Sequence, residues 1–220
     1  MIRDNITQLI FRTVYCTLAV LGFVASLGLF EAHFKESFYV YFTNLSNYIC
    51  MFIGFAELIA TVKKTRENND DFTEVFPKMK FIGMVMIFIT FAVFNFMLAK
   101  DRPIEKNLAV SSILLHIVLP LMYIADWILF RQHKKVKKTT PLLAVVIPIF
   151  YAVFVFIRAE IMGRQGDVVY PYFFLDVNKL GWGKVAVWIV ILIVAFVAVG
   201  YIFYLLDNLI GEKKNTTKRR

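Results

Sequence analysis

Six stretches of this chain carry no charged residue: 13–30, 38–56, 81–99, 107–125, 141–157 and 185–206. Crossing ~30 Å of hydrocarbon takes roughly 17–25 helical residues, so each stretch can span a bilayer once its flanks are added. Inside lipid the backbone must satisfy its own hydrogen bonds, and these runs lack the two-residue alternation of a barrel strand. They therefore read as helices. The first run is too long for a signal peptide and has no small-x-small cleavage site, so it stays a helix. Composition agrees: of 220 residues, 59% are hydrophobic and only 19% charged, which leaves too little polar material to cover a soluble domain. The expected fold is all-α, a polytopic membrane protein with six transmembrane helices in one bundle. A single transmembrane domain spans 1–220, with helices at about 8–30, 38–61, 79–99, 107–130, 141–160 and 184–208.

Basic residues set the expected orientation. The N-terminal tail, the 62–80 and 131–140 loops and the C-terminal tail hold 16 Lys and Arg against seven in the alternate loops. By the positive-inside rule both termini are cytoplasmic, in a multi-pass protein of the cell membrane. The formal net charge of +9 then belongs to anionic membrane lipid, and nucleic acid is not a partner. Cys16 and Cys50 fall within helices, which removes an external disulfide, and no metal-ligand spacing or cofactor-binding motif occurs. Nothing in the sequence fixes the oligomeric state.

Chemistry therefore rests on the polar residues inside the spans. Thr43, Ser46 and Asn47 share one face at the start of helix 2, spaced i, i+3, i+4. They suit helix capping and inter-helix contacts as well as a site. His116 is the one histidine embedded in an apolar run. An ionisable group there is costly and marks a candidate site. Pro120, four residues on, has no N–H for the His116 carbonyl, and Ser112 lies one turn before on the same face. Helices 2 and 4 start on the same side, so Thr43 and His116 reach similar depth in the outer half of the bilayer. A hydroxyl beside an imidazole is the minimal pair for nucleophilic catalysis. Asn44, Asn47, Asn95 and Arg158 are candidate oxyanion donors or substrate-positioning groups, with Ser112 beside the base. The last outer loop, with Tyr170, Tyr172 and Asp176, reads either as an interfacial anchor or as a gate, Asp176 pairing with Arg158. Asp126 and Asp207, near the cytoplasmic side, read as structural.

The order Tyr-Phe-Thr-Asn-Leu-Ser-Asn (41–47), His-x-x-x-Pro then an acidic residue (His116, Pro120, Asp126), and Tyr-Pro-Tyr-Phe-Phe-Leu-Asp (170–176) resembles the bacterial branch of the androgen-induced, FAR-17a-like integral membrane proteins. The resemblance spans nearly the whole chain. It implies a transmembrane threonine hydrolase of fatty-acyl esters, such as fatty acid esters of hydroxy fatty acids, with Thr43 and His116 as the catalytic pair. The alternatives are a membrane acyltransferase using the same pair and a non-enzymatic lipid-binding or permeation protein.

Overall fold

The computed structural model describes residues 4–31, 34–67, 74–131, 133–134, 136–162 and 168–217, the last seven by backbone alone. Residues 163–167 of the last outer loop, together with Arg3 and His33, lie outside the described residues. The described chain is helical and contains no strand. Six helices are long and apolar enough to cross a membrane: α1 (Asn5–Ser26), α2 (Phe42–Arg66), α3 (Pro77–Asp101), α4 (Val110–Phe130), α5 (Thr140–Met162) and α6 (Val177–Ile210). The protein is a multi-pass, all-α membrane protein.

Several helix ends depart from the sequence expectation, each for a local reason. The Asp4 carboxylate caps α1, accepting from the Thr7 N–H at 2.8 Å. Gly28 closes the helix at φ 79°, a conformation that glycine adopts without steric cost, so α1 stops at Ser26 and a 3-10 turn follows. Residues Glu36–Val40 form a separate 3-10 turn, and the extended Tyr41 delays the start of α2 to Phe42. At its other end α2 runs five residues past the expected end to Arg66, and Glu57 within it is neutralised inside the bundle. In α5 the Pro148 ring cannot sit over the Ala144 carbonyl, and the helix breaks into a turn at Ala144 and Val145. Asp176 starts α6 seven residues before the expected start, accepting from the Lys179 N–H at 3.1 Å, and Gly181 kinks it at φ 74°.

Helix α3 is the axis of the bundle, packed by α2, α4 and α6, with Phe81, Met84, Val85, Met86 and Ile87 wholly buried. The first turn of α5 packs on α3 and α6, and its remainder buries Tyr151, Val155 and Ala159 while exposing Phe150, Ile157 and Ile161. Side chains such as these, with Val187, Val190 and Val194 on α6, suit a lipid surroundings rather than water.

Successive helices run in opposite directions, which a buried ion cluster makes plain. Arg12 near the start of α1 meets Glu57 near the end of α2 at 3.1 Å and Asp126 near the end of α4 at 2.9 Å. Lys80 at the start of α3 reaches Asp126 at 2.5 Å. The Arg12 guanidinium also donates to Thr61 Oγ1 at 2.7 Å. Two cations thus face two carboxylates with almost no exposure, joining four helices at what we term the terminal end, where α1 begins and α6 ends. Beside it Arg131 lies fully buried between the rings of Phe81 and Trp127, with Glu74 at 3.5 Å and Asp207 at 3.8 Å. Asp207 also accepts from His133 Nδ1 at 2.8 Å and from the Lys134 N–H at 3.0 Å. Arg131 and Lys80, which the orientation argument counts as loop charges, are interior residues.

Candidate active site at the cavity end

Opposite the terminal end lie the start of α2, the end of α3, the start of α4 and the 168–176 loop. Here α3 and α4 each contain one π-turn, Phe94–Leu98 and Leu114–Val118. Such turns are uncommon and concentrate at functional sites. The second has a clear cause in the sequence. Pro120 offers no N–H, so neither the His116 carbonyl, four residues back, nor the Leu115 carbonyl, five back, can be served from position 120. Two asparagines from neighbouring helices replace it. Asn95 Nδ2 of α3 donates to the His116 carbonyl at 3.1 Å, and Asn47 Nδ2 of α2 donates to the Leu115 carbonyl at 3.0 Å. Each amide uses its second hydrogen within its own helix, Asn95 on Phe91 O at 2.8 Å and Asn47 on Thr43 O at 2.8 Å.

The same turn positions the imidazole. His116 Nδ1 lies 3.0 Å from the Ser112 carbonyl, which can only accept, so Nδ1 carries the proton and the lone pair falls on Nε2. The ring stacks on Phe94, centroids 3.5 Å apart and planes at 13°, and Arg102 covers that phenyl ring with its guanidinium 5.2 Å from the centroid. Imidazole orientation and tautomer are therefore both fixed by neighbours.

Thr43 occupies the second position of α2 and is buried. It does not cap the helix; the Tyr172 hydroxyl does, accepting from the Thr43 N–H at 3.3 Å. Burial pushes that phenol above its ordinary pKa, so it stays protonated. Among the described residues no hydrogen bond links the Thr43 hydroxyl to His116. Both side chains nevertheless line one chamber of about 820 Å³, which opens at the cavity end. A second, smaller hollow of about 90 Å³ runs between α3, α5 and α6, walled by carbon from residues such as Ile89, Pro148, Ala152 and Leu192. Thr43, Phe94, Leu98 and Tyr172 belong to the walls of both. Thr43 thus stands where an apolar groove meets a polar chamber.

The other sequence candidates are distributed differently. Asn44 lines the chamber and gives one amide hydrogen to Phe38 O at 2.6 Å, its other hydrogen meeting no acceptor among the described residues. Asn47 and Asn95 have both hydrogens committed to carbonyls and are occupied as backbone braces. Ser112 lines the chamber beside the imidazole, its hydroxyl 3.4 Å from Nδ1. Arg158 lines neither cavity. It ties down the 168–176 loop, donating to Val168 O at 2.7 Å, and lies against the Tyr39 ring. Asp176 does not pair with Arg158; it caps α6 and meets Lys179 at 3.4 Å. Tyr170 packs on the core beside the loop, while Tyr172 forms part of the wall dividing groove from chamber. Sequence reasoning missed Phe94, Arg102 and Tyr172's contact with Thr43. The position of Phe94 beside Asn95 was the available signal for the first.

The chain matches no family model, no curated protein and no solved structure.

Proposed function

We propose that the chain is a fatty-acyl ester hydrolase of a bacterial inner membrane, with both termini cytoplasmic and the cavity end facing outward. The observation that carries this reading is the placement of Thr43 and His116, from two different helices, on one chamber at the mouth of an apolar groove. The groove suits an acyl chain entering sideways from the bilayer, since a chain moving from lipid to a carbon-lined slot gives up little. The ester then lies at Thr43.

In this mechanism His116 Nε2 takes the proton from the Thr43 hydroxyl as Oγ1 attacks the ester carbonyl. The tetrahedral intermediate collapses, the C–O bond to the alcohol breaks, and the alcohol leaves with the proton from His116. Water from the chamber then loses its proton to Nε2 and attacks the acyl-threonine. The fatty acid leaves, and the proton returns to Thr43. The second amide hydrogen of Asn44, which lines the chamber, is a side-chain candidate for the oxyanion. Threonine's branched β-carbon limits its rotamers, which narrows the search for an attacking geometry.

The direct test is mass spectrometry of the detergent-purified chain after treatment with a lipid-like fluorophosphonate. A single adduct on Thr43, lost in His116→Ala, is the expected result. No adduct, or one spread over Ser46 and Ser112, overturns the pair and favours a lipid-binding or permeation protein. Adding an acceptor alcohol and analysing products separates hydrolysis from acyl transfer.

A further inference from the structure

We infer that the chamber is a headgroup subsite for a phosphate-bearing glycerolipid, whose phosphate meets Arg102 and Lys106 at the rim while one acyl chain lies in the groove. The inference rests on the hydrolase reading and narrows its substrate. Three observations carry it.

The first is size and polarity. An ester whose alcohol portion is another hydrocarbon chain has no use for a polar space of about 820 Å³. That volume lies within the range of pockets that enclose a whole small ligand. The groove is walled by carbon, whereas the chamber presents the hydroxyls of Ser37, Ser111 and Ser112 and the amide of Asn44. Hydroxyls and an amide are the partners a glycerol moiety needs.

The second is charge. Among the described residues, the chamber wall includes Lys35, Arg102 and Lys106 against one carboxylate, Asp101. Cations in such excess favour an anion, and a guanidinium matches phosphate oxygens in a two-pronged geometry.

The third is connectivity. Arg102 stacks on Phe94, and Phe94 stacks on His116, so the guanidinium holds a set position relative to the imidazole. In a diacyl glycerophospholipid the phosphate and the central-carbon ester sit on neighbouring carbons of one glycerol. A headgroup held beside Arg102 therefore leaves its ester within the same chamber as Thr43, and hydrolysis yields a fatty acid and a lysophospholipid.

Binding and turnover are measured separately on the full chain in neutral detergent. The binding probes are a dialkyl-ether phosphatidylglycerol, the matching dialkyl-ether glycerol without phosphate, and glycerol 3-phosphate without chains. The ether phosphatidylglycerol is expected to bind about tenfold more tightly than either. Arg102→Ala and Lys106→Ala should each weaken it several-fold, with no change for Lys179→Ala on the same side of the bundle. Equal binding of the two ether lipids, or indifference to the rim variants, overturns the inference. Binding of glycerol 3-phosphate as tightly as the lipid reassigns the site to a soluble phosphate ligand and also overturns it. Turnover then compares ester phosphatidylglycerol, diacylglycerol and a fatty acid ester of a hydroxy fatty acid. Hydrolysis without preference for the phospholipid leaves the hydrolase standing and removes the headgroup subsite. Phosphate-dependent binding with no fatty acid released from any ester leaves a lipid-binding site and removes the hydrolase.

Discussion

The imidazole of His116 lies flat on the phenyl ring of Phe94, 3.5 Å between centroids, and the two residues belong to π-turns in adjacent helices. A base held on one face by a ring and on one edge by the Ser112 carbonyl has little freedom to turn. Phe94→Ala removes the face contact and leaves the edge. Because a misplacement of about 1 Å can cost roughly 100-fold in rate, we expect ester hydrolysis to fall by about 10- to 100-fold in this variant. Kinetics on a soluble short-chain ester check it; an unchanged kcat would show that the stack has no part in the reaction.

Thr43→Ala and His116→Gln are expected to remove essentially all hydrolysis. Loss of a general base alone costs about 10²- to 10⁴-fold. Circular dichroism and thermal unfolding in detergent separate this from misfolding, since Thr43→Ala touches none of the backbone hydrogen bonds that Thr43 makes.

Asn47 and Asn95 answer a different test. Each amide serves two carbonyls, so Asn95→Leu leaves His116 O unpaired in an apolar setting, at a cost of about 1–3 kcal/mol. The expected signature is a lower melting temperature with activity reduced only as far as the imidazole moves. A large loss of kcat at unchanged melting temperature would instead mark Asn95 as an oxyanion donor.

The groove makes a prediction about chain length. Ala152→Phe fills the slot between α3 and α5. Long-chain esters should lose about 1–3 kcal/mol of binding, read as a higher KM, while a short-chain ester keeps its wild-type rate. Equal effects on both would place the acyl chain elsewhere.

Glu74 lies outside the spans and is buried beside Arg131. Burial drives its carboxyl up from 4.5 to about 7, against the opposing pull of Lys80 and Arg131. The folded state therefore holds a proton that the unfolded chain has released, and stability falls as pH rises between about 4.5 and 7. Melting temperature should decline over that window in the wild type and flatten in Glu74→Gln. The same decline in the variant would assign the effect to another group.

The sequence disclosed the six spans because hydrophobic length is a local property. It also put Thr43 and His116 toward one end of the bundle, where both line one chamber, since position along a helix is a local property. It failed where partners are distant. Glu57 fell inside the second expected helix with nothing nearby to neutralise it, since its partner Arg12 is 45 residues away and Asp126 is 114 residues from Arg12. Long-range ion pairs have no local pattern, so the four-helix ion cluster was not legible in the sequence. The asparagines were visible as polar residues, but their employment depends on which carbonyls lack a partner. Pro120 held that information, and only half of it was drawn: the freed His116 carbonyl was foreseen and the donor was not.

Pro120 has a consequence for how the protein is made. With no hydrogen at position 120, α4 cannot complete its own backbone bonding, and two of its carbonyls wait for amides on α2 and α3. Placed alone in hydrocarbon, α4 would expose those carbonyls to a medium with no donors. Because α2 and α3 precede it in the chain, their amides are already in the bilayer when α4 arrives. The donor helices thus precede the acceptor helix in the chain, and α4 completes its backbone bonding only when packed against them.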